Sequence, residues 1–381
     1  MTQGAPAAER RLLPIVALGY LLFVVYGSLV PLDFHYHPLN EAWAQFAHIP
    51  YLSLGVAERA DWVANIVLYV PLAFFFCAWS GRRSARWWTA LSVFLVCASV
   101  AVAVEFTQIY FPPRTVSLND IVAEVIGSII GIAIWWTAGE RLARLWREVE
   151  AGGPFAVRAA LTLYLLAYLA ISFFPYDFLV SWAELSAKLA SHRDGWLLAP
   201  QFCTSGMRCA AKLGYEVLAT VPLGVLVGML SARGKPGRLR AALLWGALLG
   251  LLTESVQLFI DSGSAQGISI LTRTAGAGTG LLLHDGLPVP VLRGLKPYLR
   301  PSVLVASGVY ALFLTALQGW FSSAWLPLAS GLERIHDLHF LPFYYHYYTS
   351  EAVALVSLLQ RNAVHASGSC LLGLANWKAV G

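Results

Sequence analysis

Long apolar runs constrain this chain more than any other feature. They extend for about 18 to 25 residues, the length that crosses a hydrocarbon core of roughly 30 Å. Ten are legible, at 12–30, 62–80, 87–110, 117–138, 155–174, 211–231, 240–260, 266–284, 301–320 and 351–373. The seventh and eighth lie close together and the tenth is weak. They are too long for β-barrel strands and lack sustained alternation. Helices, which satisfy their own backbone polar groups in lipid, are the spanning structure that remains. With only 12% charged residues, the chain is expected to be an all-α polytopic membrane protein of about ten transmembrane helices.

The net charge of +5 does not point to nucleic acid, because the cations are distributed by topology. With the N-terminus placed inside, the inside segments carry Arg10, Arg11, Arg82, Arg83, Arg86, Arg141, Arg144, Arg147, Arg158, Arg233, Lys235, Arg238, Arg240, Arg293, Lys296, Arg300 and Lys378. That is 17 of the 26 basic residues. Seven lie outside: Arg59, Arg114, Lys188, Arg193, Arg208, Lys212 and Arg334. This bias is the positive-inside pattern and puts both termini in the cytoplasm. The first apolar run shows no small-residue cleavage site, so it reads as a span, and the Arg10-Arg11 pair as its topology anchor.

An internal repeat organises the polar residues. Pro31-Leu-Asp33-Phe34 returns as Pro175-Tyr-Asp177-Phe178. The run from Asn65 to Pro71-Leu72 returns from Glu216 to Pro222-Leu223, and Glu105-x-x-Gln108 returns as Glu254-x-x-Gln257. Gly127 and Gly131 return as Gly276 and Gly280. Both copies enter the membrane from the same side, so the repeats are parallel. The expected division is residues 1–145, 155–285 and a partial third unit at 300–381.

Within the first copy, Asp61 and Asn65, then Glu105 and Gln108, then Ser117, Asp120 and Glu124, each share one helical face. Because consecutive spans alternate in direction, these residues meet at one depth in the outer third of the bilayer. An acidic residue costs about 2.5–3.5 kcal/mol at the centre of a span, so such groups face protein or trapped water and mark a candidate site. Glu105 and Asp120 are the catalytic candidates, Glu105 as general acid or base. Asp61, Asn65, Gln108, Ser117 and Glu124 are the substrate-binding candidates, with Glu254 and Gln257 from the second copy. A structural polar network that locks helices together is the competing reading. The glycine pairs read as close-packing faces, and Pro71 and Pro222 as kinks whose freed carbonyls need partners.

The second copy departs from the first: Lys212 stands for Asp61, Ser269 for Asp120 and Arg273 for Glu124. Either the first copy keeps the working site, or Lys212 and Arg273 pair with carboxylates across a shared interface.

The set Asp61-Trp-Val-Ala-Asn65, Pro71-Leu72, Glu105-x-x-Gln108 and Ser117-x-x-Asp120 with Gly127 and Gly131 resembles the VanZ-like family. The match is good over 26–138, weaker over 170–284 and faint beyond. The family takes its name from an accessory protein associated with low-level resistance to the glycopeptide teicoplanin. The resemblance therefore implies a cell-envelope role and does not supply a reaction.

Three functions remain open. One is an enzyme or binder of an amphipathic envelope lipid or glycan precursor, the second an ion-coupled transporter or flippase, the third a scaffold. Oxygen ligands would suit magnesium or calcium, but no spacing demands a metal and no cofactor can be named. Membrane lipids are the expected partners, with no nucleic acid; the oligomeric state is open. His35, His37 and His48, and His336 with His339, read as interfacial residues among aromatics rather than zinc ligands. Cys203 and Cys209 share an outer loop where a disulfide is plausible.

Overall fold

A computed structural model describes residues 7–80, 86–151, 153–191, 194–195, 197–198, 206–232, 234–286, 341–342 and 344–349. The chain divides into two compact units, Met1–Asp285 and Gly286–Gly381. In the second, the described residues include a single turn of helix, Tyr344–Tyr347. The expected spans 301–320 and 351–373, the pair His336 and His339, and the body of the 300–381 unit lie outside the described residues.

The regular elements described in the first unit are all helices. Its elements are α1 (Ala7–Leu29), α2 (Leu39–Ala47), α3 (Val56–Ser80), α4 (Arg86–Gln108), α5 (Leu118–Ala151), α6 (Gly153–Ser172), α7 (Trp182–Ala190), α8 (Gly206–Leu230), α9 (Lys235–Leu258) and α10 (Ile268–Gly286). The described residues hold no strand, only isolated bridges of Phe178 with Ile260 and Gly195 with Gln266. Among the described residues seven helices, α1, α3, α4, α5, α6, α8 and α9, are long and apolar enough to cross a membrane. The chain is a multi-pass membrane protein. The run 266–284 forms α10, whose 19 residues are less apolar by hydropathy than those seven. Ser269 and Arg273, both buried, interrupt its apolar surface and face protein rather than lipid.

Helix α5 has 34 residues, about 51 Å of helix, and so overruns a bilayer core of roughly 30 Å. The excess carries Arg141, Arg144 and Arg147, the basic residues that should stay in water.

Small residues set how closely the helices approach. A Cβ added at Gly127 or Gly131 of α5 would run into the Ile66 or Val70 carbonyl of α3. On α10, Gly276 and Gly280 lie in the same way against the Val217 and Val221 carbonyls of α8. Backbone contact this close is what small-xxx-small faces permit where no hydrophobic effect drives helix association. Tyr69, Leu72, Ala73, Cys77, Cys97 and Ala101 fill the core between α3 and α4.

The prolines behave as their chemistry requires. Pro71 and Pro222 sit inside α3 and α8 without ending either helix. Each denies a hydrogen bond to the preceding turn. The carbonyls so released are those of Val67 and Leu218; one residue further on, Tyr20 Oη donates to the Leu68 carbonyl (3.1 Å) and Tyr164 Oη to the Ala219 carbonyl (2.9 Å).

Between the helices, the same local geometry occurs twice. Val30–Pro31 and Phe174–Pro175 are cis peptides, followed by Leu32 at φ 64° and Tyr176 at φ 70°. His35 N donates to Tyr110 O (2.8 Å), and Leu179 N to Phe259 O (2.7 Å). Arg59 on α3 makes a bidentate pair with Glu184 on α7 (2.9 and 2.8 Å) and donates to Phe178 O (3.1 Å). These contacts tie the loops of the two halves together.

Candidate functional site

The start of α5 is where the polar residues of the first half gather. Ser117 is its N-cap: the Asp120 N–H donates to Ser117 Oγ (3.3 Å), satisfying one of the helix's unpaired donors. The Ser117 hydroxyl in turn donates to Asp120 Oδ2 (2.7 Å). The Ser117 N–H donates to Glu105 Oε1 on α4 (2.6 Å), and Asn65 Nδ2 on α3 donates to Asp120 Oδ1 (2.7 Å). Four of the expected residues thus form one chain of hydrogen bonds across three helices.

Burial is graded along this chain. Glu105 is 1% exposed and Glu124, one turn below Asp120, is 2% exposed. Asn65 and Asp120 are half-buried and form the rim. Glu124 interacts with Glu105, Asp120 and the Tyr69 hydroxyl, yet its Oε2 has no hydrogen-bond partner, nor does Tyr69 Oη. Arg114, in the loop between α4 and α5, is the cation that acts on Glu105. It also donates to the Gly27 carbonyl (2.6 Å).

Two expected residues lie apart from the chain. Asp61 is exposed one turn outward from Asn65. Gln108 donates to the Ser28 carbonyl (2.9 Å), joining α4 to the end of α1.

At the start of α10 the arrangement recurs with different residues. Gln266 N donates to Glu254 Oε2 (2.6 Å), Gln266 Nε2 to Ser269 Oγ (2.8 Å), and Ser269 Oγ to Glu216 Oε1 (2.7 Å). Here the acid of the rim pair is on α8 and the hydroxyl on α10. In the first cluster the acid is on α5 and the amide on α3. Thr272 also donates to Glu216 (2.6 Å).

Arg273 supplies a buried cation to this second cluster. Its guanidinium donates to Glu254 and, through Nε, to Tyr168 Oη (3.0 Å). It lies 3.9 Å from Glu216, and Lys212 lies 3.8 Å from the same carboxylate. Arg273 pairs with Glu254 and Glu216, and Lys212 with Glu216, acids of their own half.

Beside this cluster is a polar cavity of 170 Å³ whose lining includes Lys212, Glu216, Gln257, Ser262 and Arg273. Gln257 thus faces a cavity, whereas its first-half counterpart Gln108 is spent on a helix end. An apolar groove of 490 Å³ runs on the far face of α4, where Trp43 and Phe46 of α2 meet Val102 and Phe106.

Among known proteins, a match was found in one place. Residues 16–139 fit the sequence profile of the VanZ/LLP1 family. The chain carries a VanZ/LLP1 domain. No curated protein and no solved structure matches it. The matched segment holds the whole first cluster, from Asn65 to Glu124, and ends before α6 begins.

Several residues that shape the VanZ/LLP1 cluster escaped the sequence reading. Asn119, 1% exposed, accepts from Leu52 N (2.7 Å) and donates to Leu52 O (3.0 Å), clamping the loop before α3. Its own carbonyl accepts from Trp62 Nε1 (2.9 Å). Periodicity had put Asn119 on another face from Ser117 and Asp120, but at a helix N-terminus that face meets the neighbouring loop. Tyr69 gave no polar signal because it sits in an apolar run. In the second half, Lys188 is buried and donates to the carbonyls of Gln257 and Ile260 (both 2.6 Å), closing the end of α9. In the sequence it counts only among the cations outside the membrane.

Cys77 and Cys97 are free buried thiols, as packing residues would be. Cys209 is disulfide-bonded; Cys203 lies outside the described residues. Among the described residues no three His, Cys, Asp or Glu side chains are grouped to hold a metal ion.

Proposed function

We propose that this chain is a VanZ-like protein of the bacterial inner membrane, with its N-terminus inside, whose first polar cluster binds or acts on the headgroup of an amphipathic cell-envelope lipid or glycan precursor. One observation carries the reading. Asn65 and Asp120 form a half-buried rim bonded directly to the buried Glu105 through Ser117. A rim of this kind offers an amide and a carboxylate to hydroxyl or ammonium groups, while a carboxyl behind it can exchange a proton with a bound group. Glu105 is then the general acid or base and Asp120 its partner at the rim. Asp61, exposed at the mouth, meets the ligand first. The apolar groove along α4 suits an acyl chain at the same membrane level.

The repeated bonds between α4 and the start of α5, and between α9 and the start of α10, support reading residues 20–138 and 164–284 as diverged parallel copies. In this reading the first copy keeps the site, and in the second Arg273 has become a fixed internal ion pair. An ion-coupled transporter or flippase is the second reading, favoured by the unpartnered Glu124 oxygen in a spanning helix.

The test is complementation of a strain lacking the gene, scoring glycopeptide and detergent tolerance together with envelope lipid composition. Glu105→Gln and Asp120→Asn, at wild-type membrane levels, are expected to lose complementation, while Glu254→Gln keeps a larger part of it. Full function in both first-copy variants would overturn the reading. Loss of tolerance with unchanged lipid and precursor composition would move the assignment to transport.

A further inference from the structure

The second half leaves open a space that the first half fills. Arg114 stands nine residues after Glu105, as Gly263 stands nine after Glu254. Ser28 and Ser172 likewise stand three residues before Pro31 and Pro175. In the first half the Arg114 guanidinium donates to the Gly27 carbonyl and Gln108 to the Ser28 carbonyl, so both side chains close against the end of α1. In the second half position 263 has no side chain, and Ser172, Gln257 and Gly263 border the 170 Å³ cavity instead. Gln257 is held through its backbone carbonyl by Lys188, and among the described residues its side-chain amide has no protein partner.

The walls of the space also change sign. Lys212 stands in place of Asp61 and Arg273 in place of Glu124, and both line the cavity. Among the described residues of the lining, Glu216 is the one acid. Its two oxygens already accept from Ser269 and Thr272, and it lies 3.8 Å from Lys212 and 3.9 Å from Arg273, beyond hydrogen-bond distance of either. The cluster is neutral as a whole, but Glu254, which is bonded to Arg273, is not part of the lining. The cavity therefore faces two cations and one carboxylate whose oxygens are taken.

We infer that this cavity binds a phosphate group, carried as the phosphodiester of a lipid headgroup or as free phosphate. Lys212 from α8, Gln257 from α9 and Arg273 from α10 line the space from three helices. That arrangement suits the tetrahedral oxygens of phosphate better than a planar carboxylate, and Lys and Arg are the side chains that recognise phosphate by charge-assisted bonds. The single charge of a phosphodiester asks least of a cluster already neutral as a whole. The level agrees with a headgroup. Lys212 opens the apolar stretch Lys212–Leu230, and Gln257 is next to last in Lys235–Leu258, so the cavity lies where the membrane-crossing stretches end. The comparison of the halves rests on the duplication proposed above, and the cavity's ligand is independent of what binds at the first cluster.

The test uses the full chain in dodecyl maltoside, a detergent without phosphate. Thermal unfolding is followed by tryptophan fluorescence in three titrations: short-chain phosphatidylglycerol, the matching diacylglycerol, and sodium phosphate against chloride at fixed ionic strength. A ligand that binds the folded chain raises the midpoint by about 2 °C per tenfold increase above half-saturation. Phosphatidylglycerol is expected to do so and diacylglycerol is not; a response to sodium phosphate alone assigns the cavity to free phosphate. Lys212→Gln is expected to raise the half-saturating concentration about tenfold. Should that variant not fold, Gln257→Leu, which removes an amide with no protein bond to lose, is expected to weaken binding in the same direction. Asp120→Asn, in the first cluster, is expected to leave the response as it is. A midpoint insensitive to phosphatidylglycerol and phosphate alike means that the cavity holds water alone and overturns the inference. A response unchanged in the folded second-half variants overturns it too, and one lost in Asp120→Asn places the phosphate at the first cluster instead. The headgroup-binding reading of that first cluster keeps its own test by complementation.

Discussion

Among individual residues, Asn119 and Glu184 show how much a single side chain fixes outside the carboxylate cluster. Asn119 uses both ends of its amide on the Leu52 peptide, and removing it deletes both bonds of that clamp from a side chain that is itself 1% exposed. Asn119→Ala is expected to cost about 1–3 kcal/mol, and hydrogen exchange should show the Leu52 amide losing protection before the helices do. Glu184 accepts from Arg59, Val180 N and Ser181 N, and the Arg59 guanidinium is the main cause holding its carboxyl down to about 2. A carboxyl whose folded value lies below its unfolded value of about 4.3 stabilises the fold above that value. The contribution is lost as pH falls toward the folded one. Arg59→Gln should therefore lower the unfolding midpoint at neutral pH, and the gap to wild type should shrink from about pH 4 to about pH 2. An unchanged gap across that window would contradict the assignment. Glu105, Asp120, Asn65 and Ser117 were legible in the sequence because helical spacing and alternating span direction bring them to one depth. Asn119, Tyr69 and Lys188 were not, because their roles depend on loops and on facing helices that no spacing rule describes.

For the helices, the informative feature is how closely α5 meets α3 and α10 meets α8. A methyl group at Gly127 or Gly131 would meet a carbonyl of α3, whereas Gly19 on α1 has nothing within 4 Å of an added Cβ. Gly131→Ala and Gly280→Ala are each expected to destabilise by about 1–3 kcal/mol through overpacking, while Gly19→Ala should leave the midpoint unchanged or slightly raised. Thermal unfolding in detergent separates the two groups, and equal effects at all three positions would refute close packing as the role of these glycines. The helices themselves were readable from apolar run length. How α10 carries an arginine was not readable: the ion pair that draws Arg273 inward became visible only once α8 and α9 were packed around it.

Taken as one molecule, the chain joins a VanZ/LLP1 domain to a second half whose polar plan is similar and whose charge is balanced internally. The proposed topology places the Arg59–Glu184 clamp, both clusters and the disulfide-bonded Cys209 outside, and Arg141, Arg144 and Arg147 inside. A reporter fused at Gly153 should behave as cytoplasmic, and extracytoplasmic behaviour there would invert every assignment of side. The central claim is that the first cluster receives an envelope headgroup at its outer rim. Its most direct test is photocrosslinking in living cells from a probe at position 61, at the exposed mouth, compared with one at Leu22, exposed on α1 away from the α4 groove. The account predicts that the probe at 61 captures a discrete lipid or glycan precursor, that Asp120→Asn abolishes the capture, and that the probe at Leu22 captures bulk lipid alone. The same mixture of bulk lipids at both positions, unaffected by Asp120→Asn, would contradict it.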